Sequence, residues 1–239
     1  MNRYFRSAAR RLAFGFGAAT AAYGAYVGTT WYRYGNPKAP APDERDPLLD
    51  RFMPAYEIVE RHHVRIAAPA ALTLDVAREL DLDASPTVRT IVRAREIILG
   101  ATAEDRQHPR GLLANMESLG WGMLAEVPGQ EVVVGAVTRP WEANVIFRAV
   151  PPEQFATFNE PGFVKIAWTI RADPLGGSLS IFRTETRAIA TDAHARSKFR
   201  RYWAFLSPGI VVIRWALLGP VKKEAERRAR AVGLEGHHV

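Results

Sequence analysis

Residues 163–206 read FVKIAWTIRADPLGGSLSIFRTETRAIATDAHARSKFRRYWAFL, and the fold turns on this stretch. Val164, Ile166, Trp168 and Ile170 alternate with Lys165, Thr169 and Arg171, the period of two that marks a strand with one buried face. Pro174-Leu175-Gly176-Gly177 turns the chain. In 179–190, Phe182, Thr184, Thr186 and Ala188 then oppose Arg183, Glu185 and Arg187. Asp192 stands where a helix begins, with a side chain suited to capping. Beyond it Phe199, Trp203, Leu206, Ile210 and Ile213 recur at helical spacing. Pro208 and Pro220 are expected to kink or interrupt this helix. Its end, Lys222 to Arg230, is expected to be charged and solvated.

Upstream, residues 144–150 read as another strand, and 122–127 with 131–138 as a hairpin around Pro128-Gly129. Residues 101–120 read as loop with at most a short helical turn. Ser85-Pro86 is a helix start, with Val88, Ile91, Val92 and Ile98 on the helix and Gly100 as its stop. Leu72, Val76 and Leu80 stripe an earlier helix. Residues 56–66 read as a first strand, with Ile58, His62, Val64 and Ile66 on one face and Glu57, Arg61, His63 and Arg65 on the other. The order is strand, two helices, antiparallel strands, long helix. That is an α+β domain over 56–231, a curved antiparallel sheet around the C-terminal helix, with a tail at 232–239. A cavity is expected between sheet and helix.

This order resembles the helix-grip fold of the START/polyketide-cyclase (SRPBCC) superfamily. His63-Val64-Arg65-Ile66-Ala67-Ala68-Pro69 is similar to its first strand, ending at a proline that opens a short helix. Phe158-Asn159-Glu160-Pro161-Gly162-Phe163-Val164-Lys165-Ile166-Ala167-Trp168 resembles a stretch in bacterial members. So do Thr184-Glu185-Thr186-Arg187, Thr191-Asp192 and Phe199-Arg200-Arg201-Tyr202-Trp203. The superfamily includes lipid carriers, ligand-binding proteins and aromatase/cyclases. The resemblance implies a cavity that holds a small apolar molecule, and it brings no fixed catalytic set.

The chain has 239 residues, 48% of them hydrophobic and 24% charged, a globular composition that excludes whole-chain disorder. It has no cysteine, which removes disulfides, thiol nucleophiles and cysteine-based metal sites. The formal charge is +7. Arg3, Arg6, Arg10, Arg11 and Arg33 lie in residues 1–35 with no acid among them, so the remainder is nearly neutral. A nucleic-acid-binding face is not implied.

Leu12 to Tyr32 is uncharged and bounded by Arg11 and Arg33. Twenty-one helical residues reach about 31 Å, enough to cross a hydrocarbon core. Residues 1–34 therefore read as an N-terminal transmembrane anchor. The arginines before it place the N-terminus in the cytoplasm and the domain on the outer, periplasmic side. The alternatives are a cleaved signal peptide, with Ala19-Thr20-Ala21 as cleavage site and the domain exported, and a soluble buried helix. Ala13, Gly17, Ala21 and Ala25, with Gly24 and Gly28, form a small-residue stripe through which two anchors could pair as a homodimer. Residues 35–55, rich in proline, read as a stiff linker.

No nucleophile elbow, phosphate loop, dinucleotide fingerprint or zinc-protease motif is present. His62-His63 point to opposite faces of a strand, His108 and His194 have no partner at ligand spacing, and His237-His238 lie in the tail. No metal and no cofactor are expected. Glu126, Glu142, Glu160 and Glu185 are the acids that could serve a cavity, Glu185 reading first as a solvated ion pair with Arg183 and Arg187. Arg200-Arg201 beside Tyr202-Trp203 could meet a lipid phosphate or form plain helix surface. The candidate ligand-binding residues are Trp141, Phe147, Trp168, Phe182, Thr184, Thr186, Tyr202 and Trp203. The expected function is membrane-anchored binding or transfer of a small hydrophobic molecule such as a lipid, isoprenoid or polyketide. Two alternatives stand beside it: a cyclase/aromatase-type enzyme, and a non-catalytic interaction module with a filled core and an exposed apolar patch.

Overall fold

A computed structural model describes residues 2–81, 84–101 and 109–235, and the side chains of residues 2–14 and 233–235 fall outside that description. His108, His237 and His238 lie outside the described residues. The helices are α1 (Asn2–Arg33), α2 (Pro47–Phe52), α3 (Ala70–Glu79), α4 (Pro86–Leu99), α5 (Leu112–Ser118), α6 (Pro152–Phe155) and α7 (Ala193–Glu235). The strands are β1 (Ile58–Ile66), β2 (Gly122–Val127), β3 (Glu131–Thr138), β4 (Phe147–Arg148), β5 (Val164–Gly176) and β6 (Leu179–Ala190). The sheet order is β1-β6-β5-β3-β2, all antiparallel, with β4 beside β3. The molecule is α+β, a six-stranded antiparallel sheet with a long C-terminal helix, which is consistent with the helix-grip outline.

Local chemistry sets the boundaries. Ser85 Oγ accepts from the Val88 amide at the start of α4, and Gly100 (φ +70°) ends it. Gly129 (φ +70°) closes the β2–β3 turn. Asp192 accepts from the His194 and Ala195 amides at 2.7 and 2.9 Å and from the Gly162 amide, so one carboxylate starts α7 and ties it to the entry of β5. Those backbone bonds hold its pKa below the usual carboxylate value. α7 runs through both prolines without interruption.

The register places side chains in rows across the sheet. Val134, Trp168, Thr186 and Glu60 form one row on the concave face, and Val132, Ile170, Thr184 and His62 the next. Val133, Thr169, Glu185 and Arg61 form a row on the convex face. The concave face packs against α3 and α7 through Leu74, Val76, Trp168, Phe182, Leu217 and Val221. A second cluster holds Tyr34, Ile58, Val164, Phe199 and Trp203 at the start of α7.

Three expectations change. Residues 35–55 include α2, whose Leu49 and Phe52 are buried with Met53 against Val133, Val137 and Phe155 on the convex face. A stretch that reads as spacer by its prolines carries enough large apolar residues to cover a sheet. Residues 144–150 pair only at Phe147–Arg148, because Pro140 and Pro151-Pro152 bracket a loop that meets β3 at Val137 and Thr138 alone. Lys222 to Arg230 is helix, with Val221 and Ala225 buried on either side of its first turn, so only its outer face is solvated.

Among the described helices, α7 alone is long and apolar enough to cross a membrane by length and composition. The span expected at Leu12–Tyr32 lies in α1, partly on residues whose side chains are outside the description. Residues 15–22 of α1 are exposed, and nothing lies within 4 Å of Gly24 or Gly28 where a side chain would begin.

Candidate functional site on the concave face

The concave face is mostly apolar, but one end of it is not. Glu60 and His62 come from β1, the edge strand, Thr184 and Thr186 from β6, and Trp168 from β5. α7 lays Arg214 over this group, its guanidinium carbon 4.0 Å from the centre of the Trp168 ring. That is a cation–π contact at close range. Trp168 Nε1 donates to Thr184 Oγ1 at 2.5 Å. His62 Nε2 lies 3.5 Å from Glu60 Oε2, and the His62 ring stands edge-on to Trp215, centroids 6.1 Å apart.

Three buried polar atoms here, Arg214 Nε, Thr186 Oγ1 and His62 Nε2, have no hydrogen-bond partner among the described residues. A buried donor left unmade costs about 1–3 kcal/mol, more when it is charged. The site is therefore an unsatisfied donor pair, Arg214 and Thr186, over an aromatic floor, beside an acid and an imidazole. It can receive a group that accepts hydrogen bonds.

Of the eight candidate residues, Trp168, Thr184 and Thr186 meet here, and Phe182 lies one row further along the same face. Trp141, Tyr202 and Trp203 gather in the other cluster near the start of α7, where Tyr202 stacks on Phe199. Phe147 packs on Trp121, centroids 5.2 Å apart, at the far side of the sheet. Sequence reasoning missed Glu60 and Arg214. The signals were present: Glu60 is two residues from His62 and so shares its face, and Arg214 is the lone charge between Tyr202 and Val221.

The four candidate acids do not join this group. Glu126 pairs with Arg78, Glu142 lies 3.6 Å from Arg139, and Glu160 is 2.6 Å from Arg148. Glu185 lies on the convex face and is paired as expected, but its partners are Arg61, at 2.9 and 3.0 Å, and Arg187, at 2.7 Å. It is buried rather than solvated, because the segment containing α2 covers it: Asp50 reaches Arg187 at 2.6 Å and the Met53 carbonyl accepts from the same guanidinium. Arg183 turns instead to Asp173 and Asp43. Arg200 donates to the Trp31 carbonyl and lies over the Trp31 ring.

Neither of the two spaces along the sheet approaches the expected scale of roughly several hundred Å³ for a small-molecule site. Leu113, Val132, Val134, Trp168 and Ile170 close on a space that admits no water. A convex-face crevice lined by Asp46, Arg61, Arg171 and Arg183 has room for one water, about 20 Å³. Large side chains on both walls fill the gap.

No protein-family model matches the chain, and no curated protein matches it by sequence. Solved structures do. A point mutant of norcoclaurine synthase from Thalictrum flavum, in complex with a transition-state analogue, covers 72% of this chain and 95% of its own at 10% identity and a TM-score of 0.35. The Zhui aromatase/cyclase from Streptomyces sp. R1128 covers 74% and 98% at 18% identity and a TM-score of 0.30. A hypothetical protein from Helicobacter pylori covers 79% and 98% at 8% identity and a TM-score of 0.38.

Proposed function

We propose that this protein binds a small amphipathic molecule between its sheet and α7, with the polar end of the ligand at Arg214 and Thr186. The observation that carries this reading is the pair of buried, unpartnered donors over Trp168. A carboxylate answers them best, since a guanidinium fork matches its two oxygens. The apolar remainder of such an acid would lie along Trp168, Ile170 and Phe182. That space is filled, so binding requires the middle of α7 to move outward. Pro208 and Pro220 each remove a helical hydrogen bond and lower the cost of that movement. The mouth would open at the β1 edge beneath exposed Trp215.

Titration with dodecanoate and with dodecanol tests the site. The expected result is preference for the acid in the wild-type chain, and loss of at least tenfold of that preference in Arg214→Met, with thermal unfolding showing the variant folded. Equal affinity for both probes, or a preference that survives in the variant, overturns the reading.

The anchor reading of residues 1–34 places this domain outside the cytoplasm and close to lipid, where such ligands reside. A C-terminal reporter should then be active in the periplasm, and cytoplasmic activity overturns that orientation. A second reading, an interaction module, is favoured by the filled interior together with the apolar side chains left on the surface.

A further inference from the structure

We propose that the outer face of α7 from Phe205 to Gly219 lies in the acyl region of a lipid bilayer. Between Tyr202 and Val221 the only charged residue is Arg214, and it is turned inward over Trp168. The outward face is left without charge. Phe205, Val212 and Trp215 stand on it, 52%, 44% and 65% exposed, at spacings of seven and three that align them along one side. Only 22% of the most apolar 18-residue window of this helix is buried. Monomeric soluble proteins rarely leave so continuous an apolar surface uncovered.

α4 packs beside this part of α7. The two helices seat closely at Gly209, where a side chain would begin 2.8 Å from Ile91 Cγ2. α1 supplies the polar pairing that hydrocarbon demands. Tyr23 donates to the Phe205 carbonyl at 2.7 Å, and the Tyr26 and Ser207 hydroxyls are 2.9 Å apart. Cationic and aromatic groups flank the apolar stretch at headgroup positions: Lys198, Arg200, Arg201 and Trp31 at one end, Lys222 and Lys223 at the other. That distribution fits a lipid surface and would be wasted on a purely apolar partner.

α7 lies along the membrane and does not cross it. Phe199 and Trp203 hold its first part in one core cluster, and Leu217 and Val221 hold a later part in another. A helix fixed to a sheet at both ends presents one side only, the geometry of an interfacial helix. Trp215 also edges the internal ligand site at His62, whereas Phe205 and Val212 stand on the outer face alone, so the labels at 205 and 212 test this proposal apart from that site.

The chain has no cysteine, so single cysteines report position without background. Nitroxide labels at Phe205→Cys, Val212→Cys and Trp215→Cys, with Gln154→Cys on exposed α6 as reference, would be read by power saturation. The full chain is placed in vesicles of phosphatidylcholine and phosphatidylglycerol. Expected is several-fold more relaxation by oxygen than by a water-soluble nickel chelate at 205, 212 and 215, at similar depth, and the reverse at 154. Nickel access at 212 equal to that at 154 in vesicle-bound protein means that α1 alone holds the membrane and overturns the proposal. A steep depth gradient from 205 to 215 means a crossing helix and overturns it. Dipolar broadening between labels without lipid means that a second copy covers the face, and overturns it as well. Thermal unfolding of each labelled variant confirms that it is folded.

Discussion

Glu131 shows how neighbours invert the usual behaviour of an acid. It opens β3 with its side chain buried, accepts from Thr169 Oγ1 at 2.9 Å, and faces Asp46. Burial, then hydrogen bonding and repulsion from Asp46, push its pKa from 4.5 up to about 8, although Thr169 and Arg171 pull the other way. The folded state therefore binds this proton more tightly than the unfolded chain does. Its stabilising effect is full below 4.5 and is lost as pH rises toward 8. Urea unfolding at several pH values should show the wild-type chain losing stability relative to Glu131→Gln across this window, by an amount on the order of 1–2 kcal/mol. Parallel curves for the two proteins would show that Glu131 is ionised throughout. Sequence alone gave no hint of this pairing, because Asp46 lies 85 positions away in a stretch that reads as spacer.

Elements were more legible than contacts. The β2–β3 hairpin, the α4 boundaries and Asp192 at the head of α7 follow from turn and cap chemistry, which depends on neighbours within a few residues. Thr184 and Thr186 belong on the Phe182 face by alternation, and the register puts them there. Arg214 could not be read in the same way. The apolar stripe of α7 is nearly continuous around the helix between residues 202 and 221, so periodicity does not say which side of it meets the sheet. The direction is settled by tertiary packing, where Leu217 fits the concave face and Arg214 finds the Trp168 ring. The filled gap was also beyond sequence reading, since side chains that line a cavity and side chains that fill it have the same composition.

At the scale of the whole molecule, the domain begins before its first strand. Leu49, Phe52 and Met53 are buried on the convex face against Val133, Val137, Ala167 and Phe155. Three such side chains contribute about 5–9 kcal/mol through apolar burial. That is comparable with the total stability of an ordinary domain, about 5–15 kcal/mol. The same segment carries Asp46, Asp43 and Asp50 to the largely buried arginines Arg171, Arg183 and Arg187, which keep, among the described residues, only Asp173 and Glu185 as acidic partners if the segment is removed. A chain starting at Gly35 should unfold cooperatively in urea, and one starting at Tyr56 should lack that transition and bind a hydrophobic dye. Sequence composition would cut the chain at 55, whereas the convex face requires a cut before the acids at 43, 46 and 50. A cooperative transition of equal midpoint in the shorter chain would show that α2 rests on a sheet already stable without it.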